Sequence, residues 1–360
     1  MKKYELTSET KVINGVELHR IKALESFGNI KEGELGGWIE SEKNLSQYGD
    51  AWVGGDATVF GNAEVFGNAK VSGNAKVSGN ATIDEHATVW GNATVCGYAT
   101  VYGYAKVDEH ATVDGYATVC GYATVYGYAT VDEHATVDGY ATVCGYAMVY
   151  GKATVDEHVT VDEHATVCGN AKVSGNAKVS GNAKVSGDAT VWGKAMVDEH
   201  ATVDGYATIC GYATVGEDAK IHGHATVDEH ATVYGYATVD EHATVDGYAT
   251  VCGYAKVFEN AKIHGNATVF ENAKVDGYAI ISRDAEVRGK EDFIVFKNWW
   301  SSGRYFTWTR SNNKWKVGCF YGSGEELIAK AYKDSEKSGR EYERVVKYVE
   351  SILKEENNNK

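Results

Sequence analysis

There is no proline among the 360 residues. Nothing therefore bars any segment from the interior of a β-sheet, where each backbone N–H must donate to a neighbouring strand. Long apolar runs are also missing. None approaches the roughly 20 residues that span a bilayer, and no charged-then-apolar leader opens the chain, so a soluble, cytoplasmic protein is expected. Basic residues are in deficit, 35 Lys and Arg against 50 Asp and Glu for a formal net charge of -15. That balance disfavours double-stranded nucleic acid, whose phosphates need a basic face. The seven cysteines are odd in number and widely spaced, which suits a reducing compartment and excludes a dense disulfide framework. What the chain has instead is glycine, 41 residues, and 43% apolar residues spread evenly. Such a composition points to a repeat array rather than to ordinary globular packing.

From Val53 to Val287 every sixth residue is Val or Ile, 40 positions without an insertion. Two residues before each stands Ala, from Ala51 to Ala285, with Val159 as the single exception. The unit x-Val-x-Gly-Asn-Ala reads as a very short strand with one buried side chain, then a corner with a small residue inside it. Gly and Asn suit the corner because both reach the left-handed region cheaply. Tyr or His in place of that Asn predicts strain, offset by stacking. Units of this kind cannot bury their apolar side chains alone, so they stack into a solenoid with a continuous core.

Stretches such as VSGNAKVSGNAKVSGNATI resemble the hexapeptide repeats of the left-handed parallel β-helix, the fold of the trimeric acyltransferase-like superfamily. Gly33 to Val53, GELGGWIESEKNLSQYGDAWV, is similar to the N-terminal segment of hexapeptide-repeat proteins of bacteria and their prophages. The resemblance implies an all-β solenoid in which three six-residue units make one triangular coil. It implies about 13 coils and, at roughly 4.8 Å each, a prism on the order of 60 to 65 Å long. It also implies a possible homotrimer. Residues 1–46 are expected to form a small N-terminal β cap, 47–289 the solenoid, and 290–360 a C-terminal α+β cap of hairpin and helices.

The repeated triplet Asp-Glu-His, first at Asp84 to His86, and the cysteines Cys96, Cys120, Cys144 and Cys168 raise the question of a repeated metal or catalytic site. The cysteines and the first four triplets recur every 24 residues, whereas a coil of the resembled fold closes in three units, so each copy moves to a new face. Cys96 and Cys168 share a face but stand roughly 19 Å apart. Zinc needs all its ligands about 2 to 2.3 Å from one ion, so no shared site follows, and no cofactor is expected. The column Asp204, His222, Asp240 is the one arrangement that could hold a divalent metal, with a cross-strand charge pair as the simpler reading. Tyr104, Tyr122 and Tyr140, Tyr98 with Tyr116, Tyr236 with Tyr254, and His224 with His242 are expected to stack as ladders.

Composition changes at Gly289. DFIVFKNWW and RYFTWTRSNNKWKVGCF read as aromatic strands with a turn at Ser311-Asn312-Asn313. Beyond them Ser323, with Glu326 three residues on, reads as the capped start of one or two amphipathic helices, and Asn357 to Lys360 as a frayed tail. Between Phe293 and Tyr321 stand Lys297, Arg304, Arg310, Lys314 and Lys316 with no acidic residue. Trp299, Trp300, Arg304, Trp308 and Trp315 are the expected contact residues for an unknown protein or anionic ligand. The competing expectation is that these aromatics pack into a small core.

Three functions fit. A non-enzymatic scaffold or binding protein, an acidic spacer of phage or prophage origin presenting the C-terminal module, fits best. An acyltransferase is implied by the resemblance, with His222 as the candidate general base, but the unbroken register leaves no excursion loop to build a cleft. An ice-binding protein would use the column Thr82, Thr100, Thr118, Thr136, Thr154. Its neighbouring column, Asp84, Tyr102, Cys120, Asp138, Asp156, is bulky and charged.

Overall fold

A computed structural model describes residues 2–358, without the side chains of 357 and 358. The chain divides into two compact units, Met1–Gly211 and Tyr212–Lys360.

The first unit opens with an antiparallel pair, Tyr4–Ile13 and Val16–Ala23. Asn14 and Gly15 join them with φ of 52° and 81°, a turn that matches the natural twist of a hairpin. The strand Leu35–Ile39 lies antiparallel to the second of these and parallel to Thr58–Val59. Thereafter each strand is two residues long, such as Thr88–Val89. It pairs in parallel with the strands 18 residues before and after it, here Lys70–Val71 and Lys106–Val107. The register makes three units one coil and lays every third strand in the same sheet. The second unit continues the pairing, with Thr232–Val233 between Thr214–Val215 and Thr250–Val251, although its strands Lys262–Gly265 and Ile280–Arg283 are four residues long.

Each coil buries its Val or Ile and its Ala completely, as at Val131 and Ala129 in the first unit and Val245 and Ala243 in the second. A Val taken from water contributes at least about 1.5 kcal/mol. The Val and Ala pattern read from the sequence is therefore the interior of the coils in each unit. Counted over the two units there are about 14 turns, one more than the six-residue period gives. The extra turn lies in the segment before the period starts. Ile39 already faces Val59, and Leu45 bridges Val65, although two additional residues separate Leu45 from Val53.

The corners correct one expectation. The left-handed position is the residue before the one held by Asn, Tyr or His; it is taken by Gly, by the Glu of the triplet, and outside the triplets by Glu217, Glu259, Glu271 and Arg283. Glu85, Glu109, Glu133, Glu157 and Glu163 have φ between 54° and 60°, and no Tyr or His is among the positive-φ residues. The strain sits on Glu, which costs about 1 kcal/mol there relative to glycine. The preceding Asp eases it, because the Asp156 carboxylate accepts the Glu157 backbone N–H, as Asp84 does for Glu85. Replacing Glu157 by Gly is expected to raise stability by about 0.5 to 1 kcal/mol, read as a higher urea midpoint at unchanged slope. A lower midpoint would show that the Glu side chain contributes something the backbone cost does not offset.

The ladders are polar. In every coil the N–H groups donate to carbonyls of the following coil, as Thr112 to Ala129 and Asp114 to Val131, at 2.9 and 3.0 Å. The N-terminal end of such a stack presents bare carbonyls and the C-terminal end bare N–H groups. In the first unit donors cover the carbonyls. The buried Lys3 ammonium reaches Gly49 O at 3.2 Å and Ala51 O at 2.8 Å. The Asn44 amide spans Gly61 O and Ala63 O at 3.1 and 2.9 Å, and the Tyr4 hydroxyl donates to Leu45 O at 2.6 Å. Burial pushes the Lys3 ammonium down to about 8, so it still carries its charge at neutral pH.

In the second unit acceptors cover the N–H groups. Thr307 Oγ1 takes the Ile280 N–H at 2.8 Å, Ser311 Oγ the Glu286 N–H at 2.7 Å, and Asp292 Oδ2 the Arg288 N–H at 2.7 Å. Tyr278 lays its ring on Tyr305 with centroids 4.3 Å apart. Two caps of opposite hydrogen-bonding sense thus close two ends of opposite sense.

The C-terminal module holds four antiparallel strands, Phe293–Lys297, Tyr305–Thr309, Lys314–Val317 and Phe320–Gly322. Two helices follow, α1 Gly324–Asp334 and α2 Glu336–Asn358. Ser323 and Glu326 form the expected capping box, with the Glu326 N–H on Ser323 Oγ at 3.2 Å and the Ser323 N–H on Glu326 Oε2 at 2.7 Å. Helix α2 runs through Asn358, into the segment expected to fray; 359 and 360 lie outside the described residues.

Candidate functional site

The triplet that suggested chemistry resolves into three structural jobs. Asp accepts the N–H of the next residue in every triplet but that of Asp162, whose Oδ1 is buried without a partner, Glu takes the left-handed position, and every triplet His but His200 stacks on a ring one coil away. In the first unit His86, Tyr104, Tyr122, Tyr140 and His158 form one ladder, with centroids 4.7 to 5.0 Å apart and planes within 9°. His110, Tyr128, Tyr146 and His164 form a second, and Tyr98, Tyr116 and His134 a third. In the second unit Tyr212, His230 and Tyr248 stack, as do His224 with His242 and Tyr236 with Tyr254. Every ladder expected from the sequence is present, and the His residues extend them. Each ring covers its neighbour's face, so the ladders expose edges and hydroxyls rather than platforms for a sugar.

A repeat of 24 residues on a coil of 18 moves each residue type from face to face but recreates the same vertical pairs. Tyr102 therefore stands beside Cys120, Tyr126 beside Cys144, Tyr150 beside Cys168 and, in the second unit, Tyr234 beside Cys252. Burial, with the Asp114 carboxylate adding to it, pushes the Cys96 thiol up to about 12. Burial likewise pushes Cys120 up to about 11. Such thiols are not nucleophiles at neutral pH. None of the seven cysteines is in a disulfide, and Cys319 alone is exposed. Titration with an aromatic disulfide reagent is therefore expected to show one fast thiol, absent in Cys319→Ser. Two or more fast thiols would mean the coils open readily.

Among the described residues no group of three or more His, Cys, Asp or Glu side chains is arranged to hold a metal. Asp204 belongs to the first unit, His222 and Asp240 to the second. His222 lies on a strand end next to the coil that carries Asp240, and its Nε2 is buried without a hydrogen-bond partner. That nitrogen is the one unexplained polar atom on the solenoid side of the second unit.

The five aromatic and basic residues expected to form a contact surface separate. Trp308 and Trp315 face each other across adjacent strands and are 1% and 2% exposed. With Trp300, Phe306, Leu327, Ala331, Tyr342, Val346 and Val349 they form the core of the module. Packing was the competing expectation, and it accounts for these three tryptophans. Trp299, 72% exposed, and Arg304 remain on the surface. The helix pattern 327, 331, 342, 346, 349 was the signal that a core needed these aromatics, since two amphipathic helices must bury their apolar stripes against something. Arg310 closes the module with a two-pronged ion pair to Glu356, at 2.6 and 3.2 Å.

No family model matches the chain, and no curated protein matches it. The fold thus defines the class, a parallel β-solenoid repeat protein with N-terminal strands and a C-terminal antiparallel sheet with two helices. No described helix is long and apolar enough to cross a membrane.

Proposed function

We propose that the chain is a non-enzymatic structural protein, a stiff acidic solenoid of the hexapeptide-repeat kind that carries a C-terminal module able to engage a protein or an anionic ligand. The observation that supports this most is the filled interior, in which Val and Ala of the coils are sealed from solvent and each corner is the same tight turn. Catalysis needs a place where reacting atoms are held and water is excluded, and the coils of each unit offer only open shallow faces. The stretch Gly33 to Val53 supports an origin among bacterial and prophage proteins. A cytoplasmic setting agrees with free thiols that are mostly shielded.

A second reading, an acyltransferase of the same superfamily, draws on the unpartnered Nε2 of His222. Calorimetric titration of the full chain with acetyl-coenzyme A, alongside light scattering, separates the two. The structural reading expects no saturable heat whatever the mass. Saturable binding that is lost in His222→Ala would overturn it. A trimeric mass together with that binding would put the site between subunits.

A further inference from the structure

We infer that the C-terminal module carries a binding site for a small monocarboxylate with an apolar body. This goes beyond the structural role, which stands or falls on other measurements. The site is a hollow of about 280 Å³ between the loop Asn298–Arg304, the turn Gly318–Cys319 and helix α1. That volume is near the lower end of ligand pockets, so the occupant is the size of a single amino-acid side chain with its carboxylate.

The floor is apolar, made by Val317, Phe320, Leu327 and Ala331. Two cations stand on its wall. Arg304 extends its guanidinium over the turn, with Nη1 3.7 Å from where a Cβ on Gly318 would lie. Lys330 lies over the Phe320 ring with its ammonium 5.5 Å from the centroid. Neither has an ion pair among the described residues, although Arg310 and Lys347 nearby in the chain do. Unpaired cations beside an apolar floor are the complement of a carboxylate on a hydrocarbon, because the guanidinium fork matches the carboxylate and the floor takes the rest.

Tyr342 adds a donor. Its nearly buried hydroxyl lines the hollow and accepts from Asn298 Nδ2 at 2.9 Å, so its own proton is free to point elsewhere. Asp334 on the same rim leaves the lining one charge positive. It also gives an α-ammonium a partner, so a free amino acid or a simple acid can supply the carboxylate.

The test uses the full chain, with 3-phenylpropanoate, phenylalanine and the neutral 3-phenylpropanol as probes. Cys319 on the rim gives a local readout, since alkylation of its tryptic peptide reports occupancy of this hollow alone. Phenylpropanoate is expected to slow that alkylation saturably, phenylpropanol to leave it unchanged, and Arg304→Gln or Lys330→Gln to weaken the acid about tenfold or more. Neither side chain makes a hydrogen bond or an ion pair among the described residues, Lys330 resting only on the Phe320 ring, and thermal melting checks that the variants fold. Phenylalanine binding more tightly than the acid, with the preference lost in Asp334→Asn, identifies an amino-acid site. Equal protection by the alcohol, no protection by any probe, or protection unmoved by either cation variant would overturn the proposal. Failure here leaves the coenzyme result, which judges the structural role, unaffected.

Discussion

A chain lacking residues 1–34 is expected to associate, its scattering mass rising with protein concentration while that of the full chain stays constant. The deletion removes the two antiparallel strands that cover Leu35–Ile39, and with them Lys3 and Tyr4. Gly49, Ala51 and Leu45 then present carbonyls with no donor, beside a strand edge with no partner. An uncovered edge is a template for another chain. The polarity of the ladder strengthens the point, since an end that offers carbonyls can be satisfied only by donors. Lys3→Met separates the two contributions: it deletes two hydrogen bonds from the ammonium yet keeps the covering strands. That variant is expected to lose about 1 to 3 kcal/mol for the unsatisfied carbonyls and to remain unassociated. A truncated chain of constant mass would mean that the N-terminal strands are an ornament on a self-sufficient end.

How much of this was legible beforehand differs between the coils and the ends. Val53 to Val287 could be read as a solenoid because a buried residue recurs every six positions with Ala two before it; that three units close one coil is what the resemblance to hexapeptide repeats implies, and with it the ladders at Tyr104, Tyr98 and Tyr236 follow by counting. The first coil could not be read from the period, since Ile39 and Leu45 take Val positions with a two-residue offset that breaks the count. The place of strain was misassigned because the sequence marks Tyr and His as unusual at the corner, while the backbone puts the left-handed turn on the Glu before them. The Asp-Glu-His triplet looked like chemistry because these are the residue types of chemistry. Its meaning required knowing that Asp bonds the next N–H and His lies on a ring one coil away.

The C-terminal module was ambiguous for another reason. Aromatics interleaved with basic residues mark a contact surface or a core with a charged rim, and alternation along a strand supplies both at once. Trp308 and Trp315 share one face of the sheet, which the helices cover, whereas Arg304 and Trp299 sit in or beside a loop that nothing covers. The caps themselves were expected from the sequence, but the hydrogen bonds by which they close the ends were not. Thr307, Ser311 and Asp292 are ordinary polar residues until the ladder direction shows that acceptors are what the last coil needs.

Trp308→Ala is expected to cost about 3 to 5 kcal/mol and to uncap the last coil as well as the module. The side chain is 1% exposed, and its indole N–H donates to Asn313 Oδ1 at 2.9 Å. Removing it empties the centre of the core against Trp315 and frees the turn at Ser311 to Asn313. Ser311 holds the Glu286 N–H and Thr307, on the same strand as Trp308, holds that of Ile280. Hydrogen exchange should therefore quicken at Ile280 and Glu286, in the coil, and not only in the module. Trp299→Ala is the contrasting variant: at 72% exposure it is expected to shift stability by less than about 0.5 kcal/mol and to leave those two amides protected. If both variants melted the module alike, Trp299 would have a buried role. If Trp308→Ala melted the module while Ile280 and Glu286 stayed protected, the last coil would be closed by its own residues, and the aromatic sheet would be a passenger rather than a cap.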